Sequence, residues 1–167
     1  RLLSMAVPTQ GHGLEVGIGS GRFAAPLGIS CGIDPSRRLA EMAKGRGVEV
    51  TIGVGEHLPY HSGSFDYALM MTVICFLDDI AGVLLEVFRV LAPSGIVVLG
   101  FIERDGEIFR HYSEEPVKGR FLRHARFHSV DEVIHELRNA GFLAVEVIAR
   151  QHGFCVLTGK KAGSRLE

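Results

Sequence analysis

The chain is poor in the features that settle a protein's class at a glance. Its 167 residues hold three cysteines, Cys31, Cys75 and Cys155, an odd and widely spaced set with no C-x-x-C pair. That argues against a disulfide framework or a zinc site and suits a reducing cytosol. An excess of either charge is also lacking. Eighteen Lys and Arg face nineteen Asp and Glu, for a formal net charge of -1, so neither nucleic acid nor an anionic membrane is expected as a partner. The longest apolar runs are strand-length and broken by charge or glycine, too short for a membrane span. There is no internal repeat and no low-complexity segment. Arg1 stands where an initiator Met would, and no signal-peptide pattern follows it, so a preceding segment is expected. What is present, 47% apolar and 22% charged residues, fits one ordinary globular domain in the cytoplasm.

Strand and helix signals alternate along the chain. Residues 13–17 read as a first strand, and 21–27 as a helix cut short by Pro26. Residues 29–33 read as a second strand ending at Asp34. A helix over 36–44 is opened by Pro35 and closed by Gly45, and 48–52 reads as a short strand. Residues 53–64 are turn-rich. The nearly continuous apolar run over 65–72 suits a central parallel strand. Asp78-Asp79 can cap a helix in which Ile80, Val83, Leu84, Val87, Phe88 and Leu91 recur at helical spacing. Pro93-Ser94-Gly95 reads as a turn and 95–102 as a buried strand. Ser129 and Glu132 form an S-x-x-E capping box at the head of a helix that Gly141 ends. Residues 142–149 and 153–158 read as two last strands. About three residues join them, which makes an antiparallel hairpin unless a longer excursion belongs there.

This alternation predicts an α/β fold, a mostly parallel seven-stranded sheet with helices on both faces and right-handed crossovers. In such sheets ligands bind outside the carboxyl ends of the strands. Four segments meet at that rim: the glycine-rich stretch after the first strand, Asp34, residues 53–56 and residues 71–75.

The glycine-rich stretch is LEVGIGSGRFA, residues 14–24, with Glu15, Gly17, Gly19 and Gly21 in the pattern E-x-G-x-G-x-G. A strand that breaks into alternate glycines and then a helix is built to bring backbone close to a ligand. A dinucleotide fingerprint, G-x-G-x-x-G, would need its third glycine at Arg22. The spacing instead resembles that of the class I S-adenosylmethionine-dependent methyltransferases, closest to the broad subgroup with the ubiquinone and menaquinone biosynthesis methyltransferases. The resemblance covers residues 13–159. It implies a Rossmann-like three-layer sandwich with a C-terminal antiparallel hairpin, and S-adenosyl-L-methionine as cofactor.

Residue by residue, the resemblance implies that Gly17, Gly19 and Gly21 let the methionyl and ribose parts lie against the backbone. The acid at Glu15 helps organise the amino-acid end. Asp34, in GIDPS, accepts hydrogen bonds from both ribose hydroxyls and can cap the next helix as well; Pro35 and Ser36 flank the adenosine. In GVGEHLPY, residues 53–60, Val54 stands where an Asp commonly meets the adenine amino group. Adenine recognition then shifts to backbone groups of Val54 and Gly55, with Glu56 as a second contributor. Within residues 65–79, Met71 and Thr72 lie beneath the methionyl group, their carbonyls facing its ammonium. Cys75 and Phe76 replace a commoner His pair. Cys75 has no base beside it and reads as a small buried residue.

The expected activity is methyl transfer to a small-molecule acceptor by in-line displacement. No residue stands out as a general base, and no metal site is expected. Residues 103–130 are proposed as a lid over the acceptor. They carry Arg104, Arg110, His111, Tyr112, Arg120, Arg123, His124, Arg126 and His128, cations that would favour an acidic or polar substrate. Glu103, Asp105, Glu107, Glu114 and Glu115 largely offset that charge, and a solvated basic surface is the alternative. Two other functions compete: a non-catalytic module that binds S-adenosylmethionine or S-adenosylhomocysteine, and a nicotinamide-dependent oxidoreductase, disfavoured by Arg22. The sequence leaves the acceptor, the atom methylated and the oligomeric state open.

Overall fold

The structure is a computed structural model that describes residues 2–114 and 124–163, with the backbone alone for 112–114. Seven strands form one sheet: β1 (Gly13–Val16), β2 (Cys31–Asp34), β3 (Glu49–Ile52), β4 (Phe65–Met71), β5 (Leu91–Ile102), β6 (Leu143–Gln151) and β7 (Phe154–Lys160). Their order is β3-β2-β1-β4-β5-β7-β6. The first five run parallel, and β7 enters antiparallel between β5 and β6. The sheet reverses its winding at β1, where the connection from β3 crosses back to β4. A ligand crevice is expected at such a switch point.

Helices cover both faces because the strands are apolar on both. In β4, Ala68 and Met70 join the core under α3 (Ile80–Val90) and α5 (Val130–Asn139). Tyr67, Leu69 and Met71 point the other way, into a second core under α1 (Ala24–Leu27) and α2 (Arg37–Lys44). The near-continuous apolar run of β4 follows from this double burial. Asp79 caps α3 by accepting the Gly82 N–H at 2.8 Å. The capping box at α5 forms in both directions: Ser129 Oγ accepts the Glu132 N–H at 3.2 Å, and the Glu132 carboxylate accepts the Ser129 N–H at 2.8 Å. Ser129→Ala should lower stability by about 1 kcal/mol and the melting temperature by about 3 °C. Thermal denaturation followed by circular dichroism checks this.

Three local expectations change. The Pro93-Ser94-Gly95 turn lies inside β5, which begins at Leu91. The strand absorbs the turn as an irregularity between its pairings with Phe65 and Tyr67, with Ser94 at φ 65. The chain after β7 holds this kink, since Ser94 N–H donates to Ala162 and Lys161 N–H to Gly95. The helix expected over 21–27 shrinks to Ala24–Leu27, because the residues before it form the glycine loop. The hairpin turn has two residues, His152 and Gly153, at φ 53 and 83. This left-handed pair matches the twist of the strands it joins.

The segment after β5, expected as a lid, contains α4 (Glu107–Glu114). Its described parts are tied to the body of the fold at several points. Glu103 N–H donates to Gly153, Arg104 N–H to His128, Ile108 N–H to His152 and Arg126 N–H to Cys75. The Phe109 and Phe127 rings meet edge to face at 5.0 Å. Buried Glu103 is paired with Arg150 at 2.7 Å. Arg120 and Arg123 lie outside the described residues, as does the side chain of Tyr112.

Candidate functional site

A cavity of about 570 Å³ opens at the carboxyl ends of β1, β2, β3 and β4. Of the sequence-predicted residues, Gly17, Gly19, Asp34, Pro35, Ser36, Val54, Gly55, Glu56, Met71 and Thr72 line it. Glu15 and Gly21 do not. Glu15 is buried behind the loop. Gly21 faces helix α2, where an added Cβ would lie 2.9 Å from that of Ala43.

All three glycines of the motif have positive φ, yet they do different work. A Cβ on Gly17 would sit 2.4 Å from Val73 Cγ2, so this glycine makes room for a side chain of the protein. Nothing lies within 4 Å of where a Cβ on Gly19 would be. Gly19 is therefore the position where the missing side chain leaves space for a ligand.

Asp34 is the hub of the site. Its Oδ2 accepts the Gly19 N–H at 2.8 Å and its Oδ1 accepts the Ser36 N–H at 2.9 Å. One carboxylate thus fixes the loop after β1 and the head of α2, while each oxygen keeps a further lone pair. Ser36 goes on to cap α2 through Leu39 N–H at 3.4 Å. The β3 side of the cavity is clamped by α3. Glu86 accepts the Leu58 N–H at 2.8 Å, and Arg89 donates to the Leu58 and Tyr60 carbonyls at 2.9 and 2.8 Å. Arg89 also holds the Glu86 carboxyl below its ordinary pKa.

At the β4 end, Thr72 has φ 51, a conformation uncommon outside glycine. Its N–H donates to Gly100 at 2.7 Å and its Oγ1 to the Met71 carbonyl at 2.8 Å. The Cys75 thiol donates to the Thr72 carbonyl at 3.5 Å. Burial pushes its pKa up to about 11, so Cys75 is an inert core thiol. Apolar walls come from Val16, Ile33, Leu39, Val73, Phe76 and Leu77. The sequence reading missed these, because an apolar residue at a strand end carries the same signal as core.

The electrostatics of the cavity are one-sided. The charged side chains that line it are Asp34 and Glu56, both acidic. Behind the loop, Glu15 Oε2 is buried without a hydrogen-bond partner, and burial raises its pKa from 4.5 to about 8 although the Ala24 N–H is bonded to it. The Gly19 N–H, which a phosphate would need, is already given to Asp34. Such a site suits a ligand that carries positive charge and a diol, and it repels a pyrophosphate. An adenosyl sulfonium with an amino-acid end has those groups. A nicotinamide dinucleotide also carries ribose diols, but it brings the pyrophosphate for which the Gly19 N–H is not free. Among the described residues no three His, Cys, Asp or Glu side chains are arranged to hold a metal ion. No described helix is long and apolar enough to cross a membrane.

Fold and site together define an adenosyl-ligand-binding α/β domain. Residues 14–99 match the family model described as "Methyltransferase domain". An S-adenosylmethionine-dependent methyltransferase from Thermotoga maritima superposes with a TM-score of 0.88 at 36% identity, over 96% of this chain and 86% of that one. An uncharacterized protein from Methanocaldococcus jannaschii is 40% identical over 133 residues, 80% of this chain and 65% of that protein. The malonyl-[acyl-carrier protein] O-methyltransferase of Geobacter sulfurreducens is 32% identical over 152 residues, 80% of this chain and 56% of the enzyme. The chain therefore spans between about half and two thirds of these curated relatives. The chain belongs to the S-adenosylmethionine-dependent methyltransferase family, whose cofactor is S-adenosylmethionine.

Proposed function

We propose that this chain transfers a methyl group from S-adenosylmethionine to a small-molecule acceptor in the cytoplasm. The observation that carries the reading is the acid-lined cavity centred on Asp34, with Gly19 open before it. Asp34 accepts from the two ribose hydroxyls with the lone pairs left by Gly19 and Ser36. Gly17 and Gly19 offer bare backbone to the ribose and methionyl parts, and Gly21 holds the loop against α2. The carbonyls of Met71 and Thr72 take the amino-acid end, and Glu15 acts on it from behind the loop. Pro35, Ser36, Val54, Gly55 and Glu56 enclose the base.

When bound, S-adenosylmethionine supplies an already activated methyl group at its sulfonium. The chain's task is then to hold an acceptor in line and keep water out. Proximity and orientation can be worth roughly 7–11 kcal/mol. On this reading the acceptor side belongs to the segment over 103–130. Arg126 donates its N–H to Cys75 and its side chain pairs with Asp78 at 3.3 Å, which sets this segment beside the cavity wall at Phe76 and Leu77. Relatives act on chemically unlike partners by their descriptions, from a malonyl-[acyl-carrier protein] to ubiquinone and menaquinone biosynthesis. On this reading the insert of this chain selects the acceptor. Unpaired Cys31, Cys75 and Cys155 suit a reducing compartment.

Labelled methyl transfer into a metabolite extract tests the proposal. We expect one or a few labelled small molecules, with S-adenosylhomocysteine formed in equal amount. Tight binding of S-adenosylmethionine with no transfer to any metabolite would instead make the chain a non-catalytic binding module.

A further inference from the structure

We infer that this site does not read the exocyclic amino group of the adenine, so that it accepts adenosyl ligands alkylated at that nitrogen. The inference rests on the cofactor reading above and concerns the base end alone. The cavity runs from β4 through β1 and β2 to β3, and the ligand is a linear series of amino acid, sulfur, ribose and base. With the ribose at Asp34, the charged amino-acid end goes to the polar side near Glu15 and the glycine loop. The base goes to the β3 side.

The walls on that side are Pro35, Leu39, Gly53, Val54 and Gly55. They offer hydrocarbon and backbone. The Val54 carbonyl is held by the His57 N–H at 3.3 Å, and the Gly53 N–H is given to the Asp34 carbonyl at 3.2 Å. The Gly55 N–H has no partner among the described residues. This free donor suits a ring nitrogen, and apart from Glu56 the side chains of this wall bring no acceptor. The exocyclic amino group is itself a donor and needs an acceptor. Glu56 is the one side chain on this wall that could supply it. The lip is also open: Ile52 and Val54 are each 46% exposed, so added bulk reaches solvent instead of packed protein. Val54 is the residue that sets this tolerance, by presenting methyl groups to the base edge.

Calorimetric titration with S-adenosylhomocysteine and with its N6,N6-dimethyl counterpart tests this without any acceptor. The wild-type protein should bind the two within about threefold, because no buried hydrogen bond is lost. Val54→Asp, checked for an unchanged circular-dichroism spectrum, should bind the dimethyl compound at least about tenfold more weakly than the parent, because its new carboxylate would face methyl groups. A Glu56→Gln variant that weakens binding of the parent compound relative to the dimethyl one would make Glu56 the reader of the amino group and overturn the inference. A wild-type protein that binds the dimethyl compound more than about tenfold more weakly than the parent overturns the inference and leaves the cofactor assignment standing. If S-adenosylhomocysteine itself fails to bind, the cofactor assignment falls and this inference falls with it.

Discussion

Asp34→Ala should weaken binding of S-adenosylhomocysteine by about 100-fold or more, the largest single effect we expect at this site. Hydrogen bonds to a charged group contribute about 1.5–3 kcal/mol each, and two ribose hydroxyls at the low end of that range give about 3 kcal/mol, close to two decades in affinity. The loss has a second source. The carboxylate also holds the Gly19 N–H at 2.8 Å and the Ser36 N–H at 2.9 Å. Without it, the loop after β1 and the head of α2 lose their common anchor, and the cavity is no longer formed in advance of the ligand. Asp34→Asn keeps one acceptor and should fall between the two. Calorimetry gives the constants directly. The thermal stabilisation conferred by the ligand should shrink in step. Wild-type affinity in the alanine variant would remove Asp34 from the site.

The second large effect is a proton. Glu15 is buried, has an unpartnered oxygen and has its pKa raised from 4.5 to about 8 by burial. In the free protein the group is mostly protonated at pH 7. The ammonium of a bound amino-acid end would favour the carboxylate, so binding near pH 7 should release close to one proton. Titrations in buffers of different ionisation enthalpy measure that number. Glu15→Gln should abolish the release and weaken binding by about tenfold, as expected for the loss of one charge near the ammonium. The free protein carries the opposite signature. A carboxyl with a raised folded-state pKa contributes stability that is complete below pH 4.5 and is lost as pH rises through about 8. The melting temperature of the free wild-type protein should therefore drop between pH 6 and pH 9 by more than that of Glu15→Gln. Equal slopes would show that Glu15 is ionised throughout.

The β/α alternation was legible because each element carries its own local signal: Asp79 before the helical repeat of α3, Ser129 and Glu132 at α5, the double-sided apolar run of β4. The predicted rim segments do converge on one cavity, since a parallel sheet brings all its strand ends to one edge. The parts that were not legible depend on distant partners. Pro93-Ser94-Gly95 has the composition of a turn and still lies inside β5, because Ala162 and Lys161 bond to it from nearly seventy residues on. Glu103 reads as one more acid of a charged insert until Arg150 is seen beside it. The glycine motif shows the same limit. Its three glycines look equivalent in sequence. Only the fold reveals that Val73 fills the space at Gly17, that Ala43 crowds Gly21, and that Gly19 alone is left open.

The position of β7 bears on the order in which the molecule can be assembled during synthesis. Every residue that lines the cavity precedes β5, and β1 to β5 form a contiguous parallel block. The ligand-binding half can thus take shape on the ribosome while the rest is still being made. Until residues 154–160 emerge, however, β5 is a bare sheet edge with both of its faces apolar, and β6 has no strand to pair with. Such an edge is the natural point for mispairing between nascent chains. Nascent-chain proteolysis should find the first block protected early, with the edge of β5 sealed in a late and cooperative step.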